Sequence, residues 1–240
     1  MATTAVKILA ELEAEGTAQN RKVYARHGVG ENMYGVSYAT LGKLKKRIKV
    51  DQELAEALWA SGNHDARVLA TMVADPQAIR STQLDTWSKD LDNYVLTDAF
   101  ASLAAKTPFV RTKFAKWSRS RNESIGQAGW LQLCSLARSD EELDDSFFEE
   151  QLQTIESEIH QRKDRVRYAM NSALIQIGAR NTALKRQAIA AAQRIGAVEV
   201  DHGETGCKTP EAVGYIEKMW ARQAQLAAKK NAKKAKTKKR

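Results

Sequence analysis

The feature that most constrains the fold of this chain is a helical periodicity of apolar residues, which recurs with short breaks through most of its 240 residues. Only 3 prolines and 13 glycines interrupt the pattern, alanine is abundant and β-branched runs are scarce, so the composition favours helices throughout. The pattern predicts helices over residues 4–15, 17–27, 37–48, 51–60, 64–74, 80–91, 93–105, 108–120, 123–138, 141–161, 164–178, 181–195 and 211–228.

Short connections between helices of this length predict stacked helical pairs. Asn63, Asn93 and Asn122 are suited to cap the helices that follow them. Only residues 198–210 break the helical pattern over a longer stretch. We therefore expect an all-α fold, a superhelical solenoid of HEAT-like helical repeats, with one repeat domain over residues 1–228.

The positive charge of the chain is concentrated at its C-terminal end. Residues 229–240 contain eight basic residues and no acidic one, so removing these charges from the net +9 leaves +1 for residues 1–228. We expect a disordered Lys-rich tail over residues 229–240, suited to sequence-independent contact with phosphates. A solubilising role, or contact with RNA or another acidic surface, remains open.

The sequence also bears on the cellular compartment. No stretch approaches the roughly 18 apolar residues of a membrane span, and the first residues lack the basic-then-apolar order of a signal peptide. The two cysteines, Cys134 and Cys207, are too few and too far apart for a disulfide framework. We expect a cytoplasmic protein without membrane contact.

The densest group of chemically capable residues extends from Trp87 to Asp98 and contains three aspartates and two aromatic residues. In the helix predicted from residue 93, one face is apolar and should be core: Leu96, Phe100 and Leu103. The opposite face combines small residues with an aromatic and a carboxylate: Tyr94, Asp98, Ala101 and Ala105. Asp90 and Asp92 are interpreted as helix-boundary residues.

Two later helices have a comparable second face. In the helix from 164 the core stripe is Val166, Met170, Ala173 and Ile177, and the other side carries Arg165, Tyr168, Ser172 and Gln176. In the helix from 123 the outward positions are Ile125, Ala128, Gly129 and Gln132. These faces either line one concave groove or face solvent or a neighbouring helical pair.

Three segments carry a resemblance to a known family: residues 34–44, residues 57–70 and residues 92–98. Together they resemble the AlkD-like DNA alkylation repair family, DNA glycosylases built from HEAT-like repeats, over residues from about 5 to about 220. The resemblance implies binding of duplex DNA and hydrolysis of the N-glycosidic bond of positively charged alkylated purines, such as 7-alkylguanine and 3-alkyladenine. It implies no metal and no organic cofactor.

The resemblance also implies roles for individual residues. Asp98 matches the catalytic aspartate of the family, and Tyr94 matches an aromatic residue that is usually tryptophan. An arginine of the family falls at Ala128, and a second groove aromatic falls at Ser172. If the alignment shifts by one turn, Tyr168 or Arg165 takes the place of the missing group. The residues expected to contact DNA are Arg165, Arg167, Tyr168, Ser172, Lys45 and Lys46.

Three functions follow as hypotheses. The first is a monomeric DNA glycosylase for cationic alkylated purines, associated with the nucleoid. The second is a non-catalytic DNA-binding protein for distorted or branched DNA, motivated by Ala128 and Ser172. The third is a protein-interaction scaffold, a common use of helical solenoids. His202 and Cys207 fit no paired-ligand zinc pattern and are interpreted as part of a turn.

Overall fold

The computed structural model describes residues 2–237, and this part of the chain consists of α-helices, one short 3₁₀ helix (Ile159–Gln161) and their connections, without strands. The helices are α1 (Ala2–Glu15), α2 (Ala18–Arg26), α3 (Tyr38–Ile48), α4 (Gln52–Ala60), α5 (His64–Val73), α6 (Ser81–Ser88), α7 (Tyr94–Ala104), α8 (Val110–Trp117), α9 (Glu123–Ser139), α10 (Asp145–Glu158), α11 (Asp164–Gly178), α12 (Thr182–Ile195) and α13 (Ala212–Thr237). The prediction of an all-α fold is confirmed.

Side-chain caps start several of these helices where the sequence predicted them. The side chains of Asn63, Asn93 and Asn122 accept hydrogen bonds from the backbone N–H groups three residues later, at 3.2, 2.9 and 3.1 Å. These bonds satisfy N–H groups that have no partner within the helix. Helix starts were therefore readable from local sequence.

The last helix differs from the prediction at its C-terminal end. It continues to Thr237, whereas the sequence pattern placed its end at 228 and a disordered tail after it. Alanine and lysine both have high helix propensity, so a Lys/Ala segment can extend a helix that is already nucleated. The disorder expected for residues 229–237 is thus corrected, and residues 238–240 lie outside the described part of the chain.

The chain divides into two compact units. The first ends at Leu133 and also includes Asp201–Lys208, and the second consists of Cys134–Val200 and the described residues from Thr209 onward. The single repeat domain expected over residues 1–228 stays a prediction. Within residues 2–237, none of the helices combines the length and the apolar character needed to cross a membrane.

In the first unit the core lies around α5, which packs against α1, α3, α4 and α7. Aromatic rings link these layers: the rings of Trp59 and Trp87 stack with centroids 4.3 Å apart, and Phe100 contacts Trp59 and Trp117. The predicted core face of α7 is buried, with Leu96, Phe100 and Leu103 at most 1% exposed. That burial fixes which side of α7 faces outward.

In the second unit α12 packs against α10, α11 and α13. The predicted core stripe of α11 is confirmed, since Val166, Met170, Ala173 and Ile177 are at most 2% exposed. The indole of Trp220 on α13 donates to the carbonyl oxygen of Gly178 (2.9 Å), which ties the last helix to the end of α11.

The face of α9 that was expected to point outward is mostly buried. Ala128 and Gln132 are 0% exposed, and a Cβ at Gly129 would lie 2.3 Å from the backbone nitrogen of Ser118. The backbones of α8 and α9 therefore approach closely at a position that only glycine allows. Of the alternatives left open for this face, the structure favours packing against a neighbouring helix, which helical periodicity alone could not decide.

Candidate functional site

Helix α7 presents Tyr94 and Asp98 on the side away from its apolar face. Tyr94 is the first residue of the helix, immediately after the Asn93 cap, and is half-buried. Asp98, one helical turn later, is exposed. The buried Leu96 and Phe100 hold the opposite side of the helix in the core. The structure therefore places the two residues side by side on one surface, as the spacing predicted.

The carboxylate of Asp98 is bound by a side chain from another helix. Gln127, on the first turns of α9, donates a hydrogen bond from Nε2 to Oδ1 of Asp98 at 2.8 Å. Gln127 is 3% exposed, so a buried amide holds an exposed carboxylate. Because the amide is neutral, it orients Asp98 without cancelling its negative charge.

Tyr94 is in turn connected to the loop after α2. Its hydroxyl hydrogen-bonds with Nδ1 of His27, and the two ring centroids lie 5.8 Å apart. Close by in the chain, Tyr24 donates its hydroxyl hydrogen to the carbonyl oxygen of Val36 and contacts the ring of His64 edge-on. Burial, followed by the negative charge of Asp65, raises the pKa of Tyr24 to about 12, so this phenol is a hydrogen-bond donor at neutral pH.

A further aromatic side chain, Tyr38, lies within electrostatic reach of Asp98. Tyr38 begins α3 and remains 47% exposed, an unusual position for a large aromatic ring. Its partial burial raises its pKa, and the negative charges of Asp98 and Asp65 raise it further. Exposed aromatic surface and an exposed carboxylate thus occur in the same part of the first unit.

The loop before Tyr38 is fixed by the buried carboxylate of Asp65. The backbone N–H groups of Tyr34 and Gly35 donate to Oδ2 of Asp65 at 2.7 and 3.0 Å, and that of Val36 donates to Oδ1 at 2.8 Å. Asp65 is 1% exposed. This carboxylate is consequently a structural anchor for the segment that leads into α3.

The other two aspartates between Trp87 and Asp98, Asp90 and Asp92, serve the helix boundary, as expected. Asp90 accepts a hydrogen bond from the indole of Trp59 (2.8 Å) and pairs with Arg67 at 3.7 Å. Arg67 also donates to the backbone oxygens of Trp59 and Asp90, so its role is structural. Asp92 accepts from the side chain of the cap residue Asn93 (2.7 Å).

The basic residues of α3 differ in their availability. Lys45 and Lys46, in the last turn of the helix, are exposed. Arg47 beside them forms a two-pronged ion pair with Glu11, at 2.9 and 2.6 Å. Cations at a helix C-terminus are also favoured by the helix dipole, so the cluster has a structural reason to exist besides any ligand.

The DNA contacts predicted in the second unit all lie on α11. Arg165, Tyr168 and Ser172 are half-buried, and the Ser172 hydroxyl donates to the backbone oxygen of Tyr168 at 2.9 Å. Arg167 has a different environment. Its guanidinium donates to the backbone oxygens of Arg162 (2.7 Å) and Glu199 (2.9 Å) and pairs with Asp164.

These bonds give Arg167 a structural role, and its expected contact with a phosphate stays a prediction. The segment after α12 passes close enough for the backbone oxygen of Glu199 to accept a hydrogen bond from the guanidinium. Sequence periodicity carries no information about such a long-range partner.

The segment containing His202 and Cys207 forms a turn, as predicted. The N–H group of Gly203 donates to Asp201 Oδ1 (2.7 Å), and the hydroxyl of Thr205 donates to the backbone oxygen of His202 (2.8 Å). Across the described residues, no group of three or more His, Cys, Asp or Glu side chains is arranged to hold a metal ion.

Sequence reasoning missed Gln127 and His27 as neighbours of the site. Gln127 is 29 positions from Asp98 along the chain, and His27 is 67 positions from Tyr94. Neither belongs to a local motif, so only tertiary packing could reveal them. Gln127 did lie next to Ala128, the position where the family resemblance places an arginine.

Short helices that pack on one another along the chain define the class of protein: an all-α protein of HEAT-like helical repeats. The chain belongs to the DNA alkylation repair enzyme family, whose model matches residues 8–216.

Two bacterial proteins are similar to most of this chain. The chain is 29% identical over 214 residues to the uncharacterized protein Lin0241 of Listeria innocua, covering 87% of this chain and 93% of that protein. It is 28% identical to the uncharacterized protein Lmo0209 of Listeria monocytogenes, with the same coverage.

A solved structure is similar over 90% of this chain and 94% of its own, with a TM-score of 0.82 and 30% sequence identity. It is described as "a new family of proteins related to the HEAT-like repeat DNA glycosylases with affinity for branched DNA structures". The HEAT-like fold predicted from the helix pattern is thereby confirmed.

Proposed function

We propose that this protein hydrolyses the N-glycosidic bond of positively charged alkylated purines, such as 7-alkylguanine and 3-alkyladenine, in duplex DNA. The observation that carries the proposal is the exposed carboxylate of Asp98, held by Gln127 and one turn from Tyr94, in a chain of the DNA alkylation repair enzyme family.

The chemistry requires little more than a fixed negative charge. Alkylation places a positive charge on the purine, so the base leaves as a neutral molecule when the glycosidic bond breaks. The bonding electrons go to the base, and the sugar becomes an oxocarbenium-like cation that Asp98 stabilises. Water then adds to the anomeric carbon and loses a proton to the carboxylate or to solvent.

Other groups are proposed to hold the DNA. The rings of Tyr94 and Tyr38 offer electron-rich surfaces for the cationic sugar or base. Lys45 and Lys46 are exposed and suited to phosphate contacts in the first unit. In the second unit we retain Arg165, Tyr168 and Ser172 as proposed contacts and leave out Arg167, whose guanidinium binds protein groups.

The test is base release from methylated duplex DNA under single-turnover conditions. Wild-type protein should release free 7-methylguanine, and Asp98→Asn should slow release by on the order of a hundred- to a thousandfold with unchanged unfolding. Asp92→Asn, which removes another exposed carboxylate near the start of α7, is the matched control and should act like wild type. Release by Asp98→Asn at the wild-type rate would exclude the proposed role.

A second function, recognition of branched DNA without catalysis, is favoured by two observations. The similar solved structure is described as having affinity for branched DNA. In addition, the residue at the position of the family's arginine is Ala128, which is 0% exposed, so that cation is missing and its position is closed. On this hypothesis a four-way junction should compete better than a linear duplex of equal length, and no alkylated base should be released.

A further inference from the structure

We propose that Gln127 is a positioning residue for Asp98, which sets the orientation of its carboxylate and maintains its charged form. This inference rests on the proposed function of Asp98. Its basis is the 2.8 Å hydrogen bond from Nε2 of Gln127 to Oδ1 of Asp98, combined with the contrast in exposure between a buried amide and an exposed carboxylate. A carboxylate can only accept, so the amide must present its N–H group here.

The amide of Gln127 is held in place by the packing of α9. At Gly129, two residues later, a Cβ would lie 2.3 Å from the nitrogen of Ser118 and 2.5 Å from the carbonyl carbon of Trp117. The α9 backbone is thus pressed against the end of α8. The backbone at Gln127 is therefore held in position, and the side chain, 3% exposed, is packed among its neighbours.

A second glutamine of α9 also donates a hydrogen bond to α7. Nε2 of Gln132 donates to the backbone oxygens of Ala101 (3.2 Å) and Ala128 (3.1 Å). Two glutamines of α9 therefore reach α7 at successive turns, one to a backbone oxygen and one to the side chain of Asp98. The bond from Gln132 serves the fold, and the bond from Gln127 fixes the carboxylate of Asp98 on the surface.

A neutral donor suits the chemistry that Asp98 is proposed to perform. An N–H group that donates to a carboxylate favours its ionised form and limits its rotation. An ammonium or guanidinium group would do the same but would oppose the positive charge that develops on the sugar. The bond from Gln127 therefore orients the carboxylate without adding a positive charge beside it.

The first experiment measures the carboxyl group directly, in the full chain. The pKa of Asp98 is followed by NMR titration of labelled aspartate, with its signal assigned by its loss in Asp98→Asn. We expect Gln127→Leu to raise this pKa by about one unit, because the charged form loses a donor. Gln132→Leu is the matched control and should leave it unchanged. An unaltered Asp98 pKa in Gln127→Leu would overturn the inference.

The second experiment uses base release at saturating DNA. Gln127→Leu should lower the single-turnover rate about ten- to a hundredfold without changing the Kd for DNA. Gln127→Glu, which also serves if the leucine variant does not fold, places two carboxyl groups together. These share a proton, so the acid limb of the pH–rate profile should move to higher pH. An acid limb that does not move would overturn the inference, because residue 127 would then not be in contact with the carboxylate of Asp98.

The two proposals fail in different ways. If wild-type protein releases no alkylated base, the glycosylase function is excluded, and the NMR titration alone decides the role of Gln127. If wild type releases the base and Gln127→Leu does so equally fast with an unchanged Asp98 pKa, Gln127 is not a positioning residue while the function stands.

Discussion

Asp65 and Asp98 are both carboxylates of the first unit, but the protein holds them in opposite ways. Asp65 is 1% exposed and accepts three backbone N–H groups, shared between its two oxygens. Asp98 is exposed, and a neutral side-chain amide orients it. The difference teaches that burial and three backbone donors mark a carboxylate that serves the fold, whereas Asp98 lies at the surface and accepts a hydrogen bond from a buried side-chain amide.

The lysines of the first unit also differ in this way: one is buried and bound to protein groups, and another is exposed. Lys113 is 2% exposed, pairs with Asp85 at 2.8 Å and donates to the backbone oxygen of Ser81. Partial burial acts to raise the pKa of Asp85, but hydrogen bonds from Lys113, Lys116 and Trp117 outweigh it and lower that pKa. Lys45, by contrast, is exposed at the end of α3.

The largest effect on stability is expected from Asp65→Ala. The variant leaves the N–H groups of Tyr34, Gly35 and Val36 without their acceptor, and each orphaned group costs about 1–3 kcal/mol unless water reaches it. We expect the free energy of unfolding to fall by about 4 kcal/mol, measured by urea denaturation. Asp98→Asn, whose amide oxygen can still accept the hydrogen bond from Gln127, is the control and should remain within about 0.5 kcal/mol of wild type. Equal losses in the two variants would break the comparison.

The second prediction concerns the loop that Asp65 anchors. Gly35 has φ of +80°, and a Cβ there would lie 2.7 Å from the backbone oxygen of Thr17. Gly28 has nearly the same φ, +78°, but has no atom within 4 Å of such a Cβ. Gly35→Ala should therefore cost about 3 kcal/mol and Gly28→Ala only the conformational strain of about 1 kcal/mol. Identical losses in urea denaturation would show that the Asp65 loop is not tightly packed.

These contrasts explain which parts of the protein were predictable from sequence. The helices, the Asn63 and Asn93 caps and the apolar faces of α7 and α11 depend on local patterns, and the structure confirms them. The side-by-side placement of Tyr94 and Asp98 is equally local, because helix geometry alone brings residues one turn apart together.

Features that depend on tertiary approach were not predictable. The burial of Ala128 follows from the contact that Gly129 makes with the backbone at Ser118, and nothing in the helical period indicates it. Arg167 was expected to contact DNA because its partner within the protein could not be identified from the sequence. That partner, the backbone oxygen of Glu199, lies 32 positions away. Gln127 was missed as a neighbour of Asp98 for the same reason.

A third prediction uses the pH dependence of stability to compare a buried histidine, His64, with an exposed one, His160. Burial lowers the pKa of His64, outweighing the opposite influence of Asp65 and Asp92. A histidine whose folded-state pKa is depressed contributes stability above its unfolded value of about 6.5, and this contribution is lost as the pH falls toward the folded value. Between pH 7.5 and 5 the free energy of unfolding should therefore decrease.

The decrease should be smaller in His64→Gln, which cannot take up the proton. His160 is exposed, and His160→Gln should retain the wild-type dependence. Urea denaturation at a series of pH values gives the slopes. If the His160 variant flattens the pH profile and the His64 variant does not, the loss of stability does not come from protonation of His64.

The smallest effect, a change in DNA binding, is expected from Lys45 and Lys46, the exposed lysines in the last turn of α3. If Lys45 and Lys46 contact phosphates, replacing both by glutamine should weaken duplex binding and reduce the slope of log K against log salt by about two. Arg47→Gln removes a neighbouring cation that is already paired with Glu11, so its slope should change less. Fluorescence titrations at several salt concentrations measure all three proteins. If Arg47→Gln reduces the slope by half as much as the double lysine variant does, net charge rather than exposure governs the binding of DNA to α3.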